Sequence, residues 1–205
     1  MSNPTPALLT MRGIDKSFPG VKALQGVALS LRAGEVHALM GENGAGKSTL
    51  IKVLTGLYPR DAGTMTLDGA AIDPKSPQEA EACGISTVYQ EVNLIPALSV
   101  AENICLGREP VKWGCIQWKQ VRQRAVKALD RLGLNLDVSA QLDSLPLAIQ
   151  QMVAIARALE IEAKVLVLDE PTSSLDEGEV EALFGVLRKL RQEGLAIVLV
   201  THFLD

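Results

Sequence analysis

Gly41-Glu42-Asn43-Gly44-Ala45-Gly46-Lys47-Ser48 fits the pattern G-x-x-x-x-G-K-[ST], and its reading decides the fold. Glycines let the backbone wrap an anion without side-chain clashes. Successive N–H groups then point inward as a nest, at a helix N-terminus that already favours negative charge. Lys47 is expected to reach the β- and γ-phosphates of a nucleoside triphosphate, and Ser48 to ligate Mg²⁺. The expected binding loop is therefore Gly41, Glu42, Asn43, Gly44, Ala45, Gly46, Lys47 and Ser48, continued by Thr49. The alternative is a glycine-rich turn. Four fixed positions coincide by chance in a chain of this length with a probability of roughly 1%.

The flanks agree with the motif. Glu35–Met40 is a short, mostly apolar run that reads as a buried strand. Thr49–Leu57 carries Leu50, Ile51, Val53, Leu54 and Leu57 at the spacing of an amphipathic helix. Strand, phosphate loop and helix is the order the chemistry requires.

With 47% hydrophobic and 21% charged residues, the 205-residue chain has the balance of an ordinary globular domain. A net charge of −4 gives no general pull toward nucleic acid. Aromatics at 3% leave few platforms for stacking bases, so no nucleic-acid partner is expected. No apolar run approaches the length of a membrane span, and Met1–Thr10 lacks the pattern of a secretory signal. Cys83, Cys105 and Cys115 lack C-x-x-C spacing and read as free thiols of a reducing cytosol.

Alternation at Val27, Leu29 and Leu31, and again at Met65 and Leu67 before Asp68-Gly69, predicts an antiparallel β layer. Ile85–Tyr89 reads as a further strand. Ser99-Val100-Ala101-Glu102 is a capping box that should start a helix. Ile116–Leu132 carries Val121, Ala125, Ala128, Leu129 and Leu132 on one helical face, and Ile149, Met152, Val153, Ala156 and Leu159 repeat that spacing. Residues 93–160 thus form a mostly helical block. Val165–Leu168 and Ala196–Val200 are continuous apolar runs, as in parallel strands buried on both faces. Val180, Leu183, Phe184, Leu187 and Leu190 mark a helix between them. The predicted fold is α/β. It has a P-loop NTPase core, mostly parallel sheet flanked by helices, with an antiparallel β layer and an inserted helical subdomain. A single domain is expected over 1–205, with 7–92 and 161–205 forming core and β layer.

The second motif is Val165-Leu166-Val167-Leu168-Asp169-Glu170. An apolar strand delivers two carboxylates to its C-terminal end, where ligands bind in α/β sheets. Asp169 is expected to hold Mg²⁺, usually through water, and Glu170 to polarise the attacking water as general base. A carboxylate beside the metal-holding Asp suits hydrolysis better than transfer to a second substrate. His202 follows the Ala196–Thr201 strand and is placed to reach the γ-phosphate. Gln90, after Ile85–Tyr89, offers an amide that can ligate Mg²⁺ or orient water. Lys47, Gln90, Glu170 and His202 are thus the expected catalytic groups, and Ser48, Gln90 and Asp169 the expected metal ligands.

The order of P-loop, Gln90, helical block, Asp169-Glu170, Ser174-Leu175-Asp176 and His202 resembles the ATP-binding subunits of ABC transporters. The resemblance runs from Met11 to Asp205. It looks closest to the N-terminal half of bacterial monosaccharide importers, whose two ATPase domains are fused in tandem. Ser17-Phe18-Pro19-Gly20-Val21-Lys22-Ala23-Leu24, Val88-Tyr89-Gln90-Glu91, Leu98-Ser99-Val100-Ala101-Glu102-Asn103 and Gly107-Arg108-Glu109-Pro110 carry it. The resemblance implies ATP and Mg²⁺ as ligands, with Phe18 stacked on the adenine. It implies Ser174 to Asp176 signalling across a dimer, and Gln90 and the helical block sensing a membrane permease. It also implies a second ATPase domain, an indirect periplasmic sugar-binding partner, and a peripheral place on the cytoplasmic face of the inner membrane. The chain is expected to be a C-terminally truncated domain.

One departure matters. The family signature Leu-Ser-Gly-Gly-Gln is matched here by Leu145-Pro146-Leu147-Ala148-Ile149, followed by Gln150-Gln151. Pro146 has neither hydroxyl nor N–H, and Ile149 has no polar side chain. One competent and one degenerate ATP site are therefore expected in a head-to-tail pair. The competing reading is a regulatory or non-transport ABC ATPase with little turnover of its own.

Overall fold

The structure, a computed structural model, describes residues 6–42, 44–89 and 94–201. In chain order its elements are β1 (Leu9–Phe18), β2 (Val21–Leu31), β3 (Val36–Met40), α1 (Lys47–Leu54), β4 (Ala62–Leu67), β5 (Ala70–Ile72), α2 (Pro77–Cys83), β6 (Ile85–Val88), α3 (Val100–Cys105), β7 (Val111–Lys112), β8 (Cys115–Ile116), α4 (Trp118–Leu132), α5 (Leu147–Leu159), β9 (Val165–Asp169), α6 (Glu177–Gln192) and β10 (Ala196–Thr201). The chain groups into two compact units.

The first unit comprises Met1–Thr87, Ala163–Glu170 and Arg191–Asp205. Its antiparallel sheet has the order β2-β1-β4-β5. The register sets Leu9 opposite Leu31 and Leu67, and Met11 opposite Leu29 and Met65. All six are buried, so the alternation read in the sequence is one apolar face of this sheet. Its parallel sheet has the order β3-β10-β9-β6, with β10 parallel to both β3 and β9. Four residues of β9 and five of β10 are buried, because both strands lie inside the sheet. The two sheets and α1 share one core, to which α1 gives Leu50, Ile51, Val53 and Leu54. Each such buried side chain contributes about 1.5–3 kcal/mol.

Two expectations fail here. The strand leading to the phosphate loop is not buried: Val36 is 40% and Met40 51% exposed. Among the described residues β3 pairs with β10 alone, and an edge strand with apolar side chains on both faces leaves one row open. The helix after the loop runs from Lys47 to Leu54 rather than from Thr49 to Leu57. Thr55 turns its hydroxyl back onto the Ile51 carbonyl at 3.0 Å. Gly56 then takes φ +71°, where a Cβ would meet the Pro74 carbonyl oxygen at 2.6 Å. Leu57 is left outside the helix and 47% exposed.

The second unit comprises Val88–Glu162 and Pro171–Leu190. Residues 171–190, read from sequence with the core, group here with the helical block. Its helices α3, α4 and α5 pack on one another. The Ser99 capping box forms as read: the Glu102 N–H donates to the Ser99 hydroxyl at 3.2 Å, and the Ser99 N–H to the Glu102 carboxylate at 2.8 Å. Asn103, fully buried, accepts from the Ile95 N–H and donates to the carbonyls of Ile95, Leu98 and Ser99. Glu160, almost buried, takes both Arg124 and Arg108. Ile116, expected at the start of α4, belongs instead to a β7–β8 hairpin, and α4 begins at Trp118. Lys112 pairs with Cys115 across Trp113-Gly114, whose φ angles are +54° and +78°. Two positive φ values in a two-residue loop are the requirement of a type I′ turn.

Candidate nucleotide site

The loop between β3 and α1 has the backbone its glycines permit. Gly41, Gly44 and Gly46 have φ of +154°, +85° and +88°. Gly46 is the N-cap of α1 and gives it no side-chain hydrogen bond; a helix start of this kind is where backbone N–H groups can meet an anion. Only glycine fits at 46, since a Cβ there would lie 2.7 Å from the Ala23 carbonyl oxygen. Lys47 is buried, and its ammonium donates to the Gly41 carbonyl and, at 3.0 Å, to the Glu42 carbonyl. The loop's own oxygens thus hold the cation where phosphate oxygens are expected. Ser48, the second residue of α1, is exposed, and Thr49 is half-buried. Asn43 lies outside the described residues.

Strand register brings the second motif to the same edge. Thr201 pairs with Met40, and Val200 with Asp169. The carboxyl ends of β3, β10 and β9 are therefore level, with the phosphate loop leaving the first and the two acids leaving the third. Glu170 sits at φ +48° and donates its N–H to the Val200 carbonyl at 2.9 Å. A left-handed glutamate at a strand end is a strained arrangement of the kind that gathers at functional sites. No sequence pattern announced it. Thr201 is the last described residue, so His202 lies outside the described residues, as does Gln90, which follows β6.

Phe18 closes β1 and is 36% exposed. Its ring makes a T-shaped contact with Tyr58, with centroids 5.3 Å apart, and the Lys16 ammonium lies over it at 5.5 Å from the centroid. Lys16 and Asp61, paired at 3.0 Å, brace this strand end, and Asp61 also accepts from the Ser17 N–H at 2.6 Å. The Lys16 hydrogen bond, then that of Ser17, holds the Asp61 carboxyl below its usual range. Sequence reading missed Lys16, Tyr58 and Asp61, because long-range pairs leave no local pattern. The β1–β2 hairpin reaches the phosphate loop through Ala23, the residue that crowds Gly46.

In the helical unit, Pro146 is the N-cap of α5 and supplies no side-chain hydrogen bond. Gln150 instead reaches back to the Leu145 carbonyl at 2.9 Å. A cavity of about 270 Å³ lined by Ser99, Glu102, Trp118, Arg122 and Ser139 holds none of the expected site residues. Among the described residues no group of His, Cys, Asp and Glu forms a ready metal cluster, and no helix is long and apolar enough to cross a membrane.

Comparison with known proteins agrees with this geometry. The chain is 54% identical over 198 residues to the galactofuranose transporter ATP-binding protein YtfR of Escherichia coli K12, covering 97% of this chain and 40% of that protein. It is 50% identical to a ribose import ATP-binding protein of Rubrobacter xylanophilus, again over 97% of the chain and 40% of the relative. A fructose import ATP-binding protein of Bifidobacterium longum is 54% identical over 97% of the chain and 39% of its own length. The chain thus spans about 40% of the length of these relatives. An ATP-binding cassette of an ABC transporter solved in its ADP conformation superposes with a TM-score of 0.85 at 30% identity, over 98% of this chain and 83% of that one. A dimeric bacterial ABC transporter cassette gives 0.77 at 29% identity, over 95% and 88%. The family model for ABC transporters matches residues 24–173, and the chain belongs to that family.

Proposed function

We propose that this chain binds ATP with Mg²⁺ and hydrolyses it as one ATPase domain of a sugar importer. The observation that carries the reading is the level edge of β3, β10 and β9, where the phosphate loop and Asp169-Glu170 emerge on either side of β10. Lys47, now held by loop carbonyls, exchanges these for phosphate oxygens when ATP enters. The N-terminal N–H groups of α1 take the remaining phosphate charge. The hydroxyl of Ser48 and the carboxylate of Asp169, with the Gln90 amide, form a hard-oxygen donor set that fits Mg²⁺. Mg²⁺ supplies neutralisation of charge on the phosphates. Glu170 takes a proton from the attacking water, and His202, one residue past β10, supports the γ-phosphate. Phe18 stacks on the adenine.

The names of the relatives support sugar as cargo and a membrane permease as partner, hence a peripheral place on the cytoplasmic face of the membrane. Their length, more than twice that of this chain, supports a second ATPase domain in the same protein. Leu145–Ile149 supports an asymmetric pair, in which this chain's P-loop is capped by its partner while its own cap is weak. The test is Glu170→Gln in the full-length protein assembled with its permease. ATP binding should persist while phosphate release stops. Retained turnover overturns the role given to Glu170. Turnover by this domain alone as fast as by the complex overturns the asymmetric pair.

A further inference from the structure

Both tryptophans of the chain lie within six residues of each other and face water. Trp113, at the tip of the β7–β8 hairpin, is 92% exposed, and Trp118, at the start of α4, is 46% exposed. Val111 and Ile116 beside them are 62% and 37% exposed, and Val126 on the outer face of α4 is 44% exposed. The Gln117 N–H donates to the Pro110 carbonyl at 2.8 Å, which closes the hairpin against the first turn of α4. The tip is also badly chosen for its turn. Type I′ geometry favours Asn, Asp or Gly at the position Trp113 holds at φ +54°. A bulky side chain kept there, in full contact with water, contributes nothing to the core.

The charge around these rings is one-sided. Residues 108 to 131 hold seven basic side chains and two acids, Glu109 and Asp130, in a chain whose net charge is −4. Arg108 and Arg124 are taken by Glu160. Lys112, Lys119, Arg122 and Lys127 are exposed and make no ion pair with a described residue. Helical spacing sets Lys119, Val126 and Lys127, with the single acid Asp130, on the outer face of α4, away from buried Val121, Ala125 and Leu129, while Arg122 flanks the buried stripe beside the Ser99 cavity.

We propose that the β7–β8 hairpin and the outer face of α4 dock on an anionic phospholipid surface. Indole rings settle at the headgroup level, where one edge is apolar and the other wet. The aliphatic stems of Lys112 and Lys119 cover apolar surface while their ammonium groups meet phosphate. Each unpaired cation near such a surface multiplies partitioning by roughly fivefold, and the effect falls with salt. The proposal does not rest on the importer reading, because the contact requires neither ATP nor permease.

The test uses the whole chain with vesicles of phosphatidylcholine containing 30% phosphatidylglycerol, and with pure phosphatidylcholine vesicles. In Trp118→Phe, Trp113 is the sole indole and reports its own surroundings. Co-flotation with the anionic vesicles and a blue shift of Trp113 emission, both reversed by 0.5 M NaCl, are expected. Lys112→Gln with Lys119→Gln should weaken partitioning roughly 25-fold, and Trp113→Ala should weaken it further at low salt. Both changes lie on exposed side chains, and an unchanged melting curve confirms the fold. Equal binding to both vesicle types, or none to either, overturns the proposal. Protection of the hairpin by permease in detergent, without vesicle binding, assigns the patch to protein and overturns it equally.

Discussion

The N-termini of α1 and α5 are both left without a side-chain cap, yet they are built for opposite ends. Three other helices have side-chain caps: Ser76 at α2, Ser99 at α3 and Asp176 at α6 each accept from a backbone N–H, while α4, starting after Gln117, has none. At α1 the missing cap is replaced by glycines at positive φ, which turn N–H groups into a concave nest. At α5 the same position holds Pro146, and the following Leu147, Ala148 and Ile149 put side chains where close approach is needed. An uncapped helix start is thus not by itself a phosphate site. The surrounding backbone must also let the anion come near.

The largest expected effect is at the start of α1. Lys47→Ala should lower turnover of the assembled complex by about 10²–10³-fold, as measured by phosphate release. Gln150→Ala, at the start of α5, should cost far less. Equal losses at the two positions would erase the contrast. Gly46→Ala comes next. It forces a left-handed alanine, at about 1–2 kcal/mol, and a contact of 2.7 Å with the Ala23 carbonyl oxygen. Chemical denaturation should register the loss and a nucleotide titration should show weakened binding. Leu147→Ala, on a half-exposed helical turn of α5, should leave both unchanged.

The loop after β3 was legible because its pattern is local: the glycines at positive φ and buried Lys47 lie within a few consecutive residues. Asp169 and Glu170 were legible for the same reason, as a strand and its end. What the sequence concealed depends on pairing across distance. The exposure of β3 follows from its place at a sheet edge, which apolar composition alone does not reveal. The brace of Lys16 on Asp61 joins residues 45 positions apart. The hairpin at Trp113-Gly114 was missed because a tryptophan in a left-handed turn breaks the composition rule by which such turns are read. The early end of α1 was nearly legible, since Thr55-Gly56 is a helix stop that the Leu57 spacing outweighed.

Smaller effects sharpen the contrast among helix starts. Ser99→Ala should cost about 1 kcal/mol, since it removes the acceptor for the Glu102 N–H. It should also change the response to acid. The Ser99 hydroxyl, then the Ser99 N–H, holds the Glu102 carboxyl below its usual range. The stabilisation this gives is present above the ordinary glutamate pKa of about 4.3. It is lost as pH falls through the lowered folded value. The variant should therefore lose less stability than the parent in that window, read by urea denaturation at several pH values. A steeper loss would mean Glu102 draws its stabilisation elsewhere.

Pro146→Ser is the finest test. It restores a side-chain acceptor at the N-cap of α5 and should stabilise the domain by about 0.5 kcal/mol. It should not restore a competent cap over a facing nucleotide, because Leu147, Ala148 and Ile149 still lack the close approach glycine allows. Turnover of the assembled pair should then change by less than about twofold, and rise further only when Leu147 and Ala148 are replaced by glycine as well. If the single hydroxyl restored the second site, the difference between the two helix starts would lie in one polar atom. The glycines of the P-loop would then matter for their flexibility in folding rather than for the room they give the anion.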